Sequence, residues 1–221
     1  MVRRLVDVSH PIAAGMITYP GLPGPKVTDY LSREESKSRY GPGTSFQIGR
    51  IEMITNTGTY LDAPFHRLEE GADIAGLPLE RLADLPGIVV EARERAGRAL
   101  GPEIFGEGEL SGRAVLVRTG WSRHWATEAY GEGHPYLDRG ASQLLVDRGA
   151  ALVGIDTLNI DDTRDGARPA HTLLLSAGIP IVEHLCNLEA LPGSGFRFHC
   201  APAPFRGAGS FPVRAYAVLE G

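Results

Sequence analysis

Apolar residues in this chain fall mostly in short runs broken by glycine, proline and small polar residues, the spacing of strands rather than of long helices. Arg3 to Ser9 reads as a first strand. Gly15 to Pro25, crowded with glycine and proline, reads as a loop. Ser45 to Thr55 predicts a strand with Phe46 and Ile48 on one alternation, then a change of phase at Ile51 and Met53 that predicts a bulge. Gly87 to Ala92 and Arg113 to Arg118 are short β-branched runs bounded by turn residues. Leu137 to Arg148 has helical spacing, with Ala141, Leu144 and Leu145 able to share a face. It leads through Gly149 into Ala151 to Ile155, a continuous apolar run typical of a strand buried on both sides. Pro169 to Ala177 predicts a short helix with proline in its first turn. Ile179 to Val182 and Val213 to Leu219 complete the strands. The pattern implies a mixed α/β domain whose sheets are partly covered by helices.

Glycine and proline are spread along the 221 residues rather than gathered in a linker, so residues 1–221 read as one domain. With 43% hydrophobic and 22% charged residues, the chain has the balance of a globular protein, not a disordered one. A net charge of −5, with Lys26 and Lys37 as the only lysines, offers no basic patch, which argues against nucleic acid as a partner. No run approaches the length of a membrane span, and Met1 to His10 lacks the apolar core of a secretory leader. Cys186 and Cys200 then read as free thiols in a reducing compartment, and a cytoplasmic location is expected.

The candidate chemistry centres on NTGTYLDAPFH, Asn56 to His66. Gly58 permits close backbone approach or a positive φ. Asp62 offers a hard anionic oxygen to a divalent ion. Pro64 fixes the chain ahead of His66, whose imidazole suits general acid/base work or metal ligation. Taken singly, each has an ordinary reading as a turn or hydrogen-bonded structural residue.

Together the residues resemble the signature of the metal-dependent cyclase/hydrolase family that includes bacterial kynurenine formamidase and isatin hydrolase, His-x-Gly-Thr-His-x-Asp-x-Pro-x-His. Gly58, Thr59, Asp62, Pro64 and His66 stand in their places, while Asn56 and Tyr60 occupy positions where the family places metal-binding histidines. The blocks DVSHPI, GMITYPG, TGW, GIDT, PAHTLLLSAGIPIVEHLCNLEAL and SFPVRAYAV extend the likeness over nearly the whole chain. The resemblance implies a swivelling β/β/α fold assembled as a homodimer or homotetramer. It implies His171 and Glu183 as further ligands, so that Asp62, His171 and Glu183 would hold one divalent metal, Zn or Mn, with His66 as general acid/base. Asn56 and Tyr60 become catalytic or substrate-binding residues, and Tyr19, in the block matching a substrate-covering loop, a candidate aromatic wall. His10 is expected to be structural, and His184 to point away from the site or to support it. Trp121, His124, Trp125 and His134 are expected at an interface or in the core, and Arg164, Asp165 and Arg168 to face solvent, with the active-site mouth as the alternative. His199 and Cys200 have no assigned role.

The expected function is metal-dependent hydrolysis of a small, aromatic or cyclic amide, formamide or lactone. A neutral amide and a protonated phenol are poor metal ligands. The alternative is therefore a metal-free relative that binds a small molecule, or closes or isomerises a ring, without hydrolysis.

Overall fold

The short β-branched runs fold as thirteen strands among the described residues of this computed structural model, which are 3–93, 95 and 97–219. Met1 and Val2 of the predicted N-terminal segment lie outside them. The strands are β1 (Arg4–Asp7), β2 (Lys26–Leu31), β3 (Ile48–Glu52), β4 (Tyr60–Asp62), β5 (Leu85–Glu91), β6 (Ala99–Leu100), β7 (Ala114–Arg118), β8 (Tyr136–Leu137), β9 (Leu152–Ile155), β10 (Ile181–Glu183), β11 (Ser194–His199), β12 (Ser210–Pro212) and β13 (Tyr216–Leu219). The α-helices are α1 (Arg33–Ser36), α2 (Arg139–Asp147) and α3 (Pro169–Ser176), and a 3₁₀ turn spans Pro64–His66.

Nine strands make one mixed sheet in the order β1-β13-β11-β5-β7-β9-β10-β4-β12. Its centre, β5-β7-β9-β10, is parallel, and antiparallel strands extend it on both sides. Alternation along the parallel strands divides the core between the two faces. Leu116, Leu152 and Val182 join Leu61, Phe196 and Phe198 on one face. Val115, Val117, Val153, Ile155 and Ile181 meet Leu145 of α2 and Leu174 of α3 on the other. Burial of β9 from both sides is thus as its unbroken apolar run predicts.

The predicted helices appear with trimmed ends. Asp138 caps α2 by accepting from Ala141 N at 2.7 Å, and Gly149, at φ +66°, turns the chain from α2 into β9. The stretch predicted as Ser45 to Thr55 narrows to Ile48–Glu52. It pairs with β2 in a separate two-stranded ribbon rather than joining the main sheet. The irregularity expected at Ile51 and Met53 falls instead in β2, between Asp29 and Leu31. Val27, Tyr30, Ile48 and Ile51 are all exposed on this ribbon, so alternation there signals two open faces rather than one buried side.

Candidate active site

The strand period places Tyr60 and Asp62 on one face of β4, and antiparallel pairing sets Glu183 of β10 directly opposite Tyr60. Pro64 then breaks the strand and begins the 3₁₀ turn that carries His66, closed by His66 N on Ala63 O at 2.9 Å. Gly209 passes so close beneath this turn that a Cβ there would stand 2.6 Å from His66 Cα. α3, with Pro169 in its first turn, packs over the same face of the sheet and delivers His171. The four groups expected to act together therefore meet. His171 Nε2 lies 3.6 Å from Asp62 Oδ2 and 3.7 Å from Glu183 Oε1, and His66 Nδ1 lies 3.8 Å from Asp62 Oδ1. One donor atom each from Asp62, His66 and His171 fall within 4.8 Å of one another, a cluster that takes in His66, expected as the acid/base, and leaves out Glu183, expected as a ligand.

Both carboxylate oxygens of Asp62 are buried and accept no hydrogen bond. Burying an ionised carboxylate without compensation is costly, and a cation among these donors would supply it. Tetrahedral ligands around a zinc-sized ion stand roughly 3.3–3.6 Å apart, close to the separations found. The oxygen and imidazole donors suit Zn or Mn.

Asp161 fixes the orientation of His171. Its Oδ2 accepts from His171 Nδ1 at 2.6 Å and His171 N at 3.0 Å, and its Oδ1 from Ala170 N at 2.7 Å. Nε2 is thereby the nitrogen presented to Asp62 and Glu183. Burial disfavours the imidazolium, but Asp161, Asp62 and Glu183 outweigh it and raise His171 to about 10. Burial likewise lifts Glu183 to about 7, opposed by His171 and reinforced by Asp62. Its Oε1 accepts from Ile160 N at 2.7 Å, and its Oε2 from the Tyr60 hydroxyl in a short contact.

Tyr60 is only 1% exposed, and burial followed by Glu183 pushes its phenol well above the usual range. It is thus a protonated donor committed to Glu183. Asn56 Oδ1 is taken up by Ser210 Oγ at 2.9 Å, leaving the amide N–H groups to the cavity. Tyr19 is held by donating to Leu158 O at 2.6 Å and accepting from Asn159 Nδ2 at 2.7 Å. Tyr19, Leu22, Asn56, Tyr60, His66, Arg67, Asn159, Arg168 and His171 enclose a cavity of about 270 Å³.

The remaining candidates fall as follows. Arg164 and Asp165 are exposed, but Arg168, expected in solvent, lines the cavity and donates to Asn159 Oδ1 at 3.2 Å. β10 ends at Glu183, so His184 does not continue its alternation. It adopts φ +57° and is buried against Tyr60, with Nδ1 2.8 Å from the Tyr130 hydroxyl. Gly58 adopts the expected positive φ, +67°, where an added Cβ would stand 2.9 Å from Ile12 Cγ1, and Thr59 Oγ1 donates to His184 O at 2.6 Å. These two motif residues hold the backbone. Trp125 stacks on His10 at 3.9 Å, and His134 is buried in the core with Nε2 3.1 Å from Asp161 O. His199 stacks on Tyr216 and accepts from Asp84 N at 3.2 Å, while Cys200 is a core residue whose thiol burial pushes up. The sequence reading missed Asp161, Asn159, Arg67 and Asp156. Asp156 joins the GIDT and TGW blocks, accepting from Thr119 N, Thr119 Oγ1 and Gly120 N.

Residues 6–162 match the family model described as Cyclase, putative cyclase. A kynurenine formamidase of Bacillus cereus is 27% identical over 211 residues, 95% of each chain. One of Geobacillus thermodenitrificans is 31% identical over 203 residues, 89% of this chain and 90% of the relative. A solved structure described as a potential metal-dependent hydrolase with cyclase activity superposes with a TM-score of 0.81 at 27% identity, covering 100% of both chains. Isatin hydrolase A from Labrenzia aggregata, bound to benzyl benzoate, shares the fold with a TM-score of 0.80 at 24% identity, covering 99% of this chain and 94% of that one.

Proposed function

The chain belongs to the cyclase family, and on that footing we propose that it is a metal-dependent hydrolase of a small amide, formamide or lactone. The observation that carries this reading is the buried carboxylate of Asp62, which accepts no hydrogen bond and lies between two imidazoles. In the proposed site Asp62, His171 and Glu183 would hold one divalent ion, Zn or Mn. Such an ion supplies Lewis acidity to a carbonyl and makes bound water more acidic. Asp62 serves two neighbours, facing His171 with Oδ2 and His66 with Oδ1. His66, with 35% of its side chain exposed, exchanges protons between the attacking water and the leaving group. Tyr60 and Ile160 N hold Glu183 in place, and the Asn56 amide donates to the substrate carbonyl. The relatives named as kynurenine formamidases support a C–N bond as the target.

A second reading rests on His171. With its imidazolium favoured up to about 10, Asp62 and Glu183 have a counter-charge within the protein, as a metal-free binding protein or isomerase requires. Metal-treated protein screened against aryl formamides, cyclic amides and lactones separates the two. Hydrolysis lost in Asp62→Asn and in His66→Ala supports the first, and turnover intact in both variants rules it out. Ligand-dependent stabilisation without turnover favours the second.

Assembly as a homodimer or homotetramer is part of the proposal, with the exposed apolar residues of the β2-β3 ribbon as the surface to be covered. Light scattering of the purified protein tests it. Among the described residues no helix is long and apolar enough to cross a membrane.

A further inference from the structure

Two arginines in the cavity wall have no part in the hydrolytic chemistry. Six other guanidinium groups meet carboxylates: Arg93 and Arg118 at Glu91, Arg98 and Arg164 at Asp162, Arg197 at Asp84, Arg214 at Asp7. Arg67 and Arg168 line the cavity beside His66 and His171, and neither pairs with a carboxylate among the described residues. Arg67 donates through Nε to Thr172 Oγ1 at 3.2 Å, leaving its terminal nitrogens uncommitted. Arg168 is held in the left-handed region, at φ +46°, just ahead of α3. It donates only to neutral acceptors: Asn159 Oδ1, Asp162 O and Thr163 O, at 3.2–3.3 Å. Those bonds fix the guanidinium without neutralising it. Tyr19 and Leu22 supply apolar surface to the same cavity.

We propose that Arg67 and Arg168 form an anion subsite, so that the substrate is a small amide or lactone bearing a carboxylate. The apolar body of the substrate lies along Tyr19 and Leu22, its carboxylate meets the guanidinium pair, and its scissile carbonyl faces Asp62, His66 and His171. A carboxylate matches the planar fork of arginine, and the 270 Å³ cavity admits only a small molecule. The substrate class rests on the hydrolase reading; the anion subsite does not.

Calorimetric titration with benzoate and with benzamide, on zinc-treated and on metal-free protein, tests the subsite directly. Benzoate should bind about tenfold more tightly than benzamide in both forms, the scale of one charge-assisted contact. Arg67→Gln and Arg168→Gln should each reduce the preference, and the double substitution should remove it. Arg168→Lys should keep part of it, and Arg67→Gln, on an exposed residue, guards against a folding defect in the Arg168 variants. Equal binding of the two probes, a preference unchanged in both glutamine variants, or a preference present only with zinc would overturn the proposal. Hydrolysis of 2-formamidobenzoate should exceed that of its methyl ester. Failure to hydrolyse either, with the benzoate preference intact, would support the subsite and count against the hydrolase reading alone.

Discussion

Asp161→Asn is the most informative perturbation of the supporting shell. Asp161 is fully buried and accepts three N–H groups on two oxygens, two of them from His171. The amide keeps one oxygen and turns an NH₂ toward groups that are all donors. If the oxygen stays with His171, the bond from Ala170 N is lost and two donors face each other at the start of α3. Losing one hydrogen bond to a charged acceptor, with a buried donor left unpaired, costs about 3 kcal/mol. In a domain of this size that lowers Tm by roughly 9 °C. His171 also loses the partner that presents Nε2 to Asp62, and loss of such support weakens metal binding by about 10- to 100-fold. Differential scanning calorimetry gives the first quantity, and a competition titration with a chromophoric zinc chelator gives the second. A folded Asp161→Asn protein with undiminished zinc affinity would refute the role assigned to Asp161. A fall in Tm alone would reduce it to a helix cap.

Three further outcomes are expected. Glu183→Gln should lose bound metal while His66→Gln keeps it but hydrolyses slowly; the reverse result in metal analysis would make His66 the ligand. Without metal, the raised values of Glu183 (from 4.5 to about 7) and His171 (from 6.5 to about 10) mean that the folded state holds more protons than the unfolded chain. Each contribution is complete below the unfolded value and lost as pH rises through the folded one. Urea midpoints of chelator-treated protein should therefore fall from about pH 5 towards pH 10, less steeply with zinc, and a rise across that window would contradict the electrostatics. Gly209→Ala should destabilise by about 1–3 kcal/mol and lower kcat, since its Cβ would collide with the His66 backbone; unaltered kcat would show that the turn can shift without consequence.

Residues whose task follows from backbone geometry were the easiest to read. The β-branched runs marked the parallel strands, whereas β4 and the turn after it, which carry the Asn56 to His66 motif, were not read from the sequence. The spacing of Asp62, His171 and Glu183 became meaningful through family resemblance, because only the tertiary fold sets α3 and β10 beside β4. Asp161 escaped notice because a carboxylate ten residues before His171 has no local signature for holding that ring. Arg168 looked like one more polar loop residue, and its direction depends on a left-handed backbone that the sequence does not announce. His184 supports the site as expected, packed behind Tyr60, though by a turn after β10 rather than by strand alternation. The β2-β3 ribbon shows a limit of alternation itself: the period of a strand says nothing about what lies on either side of it.

Metal content per chain, by mass spectrometry on untagged protein purified without chelator, tests the central claim most directly when repeated for Asp62→Asn. The geometry around the Asp62 carboxylate, which accepts no hydrogen bond, predicts close to one equivalent in the wild type and near none in the variant. An absence of metal in the wild type, even after incubation with Zn²⁺ and Mn²⁺, would contradict it.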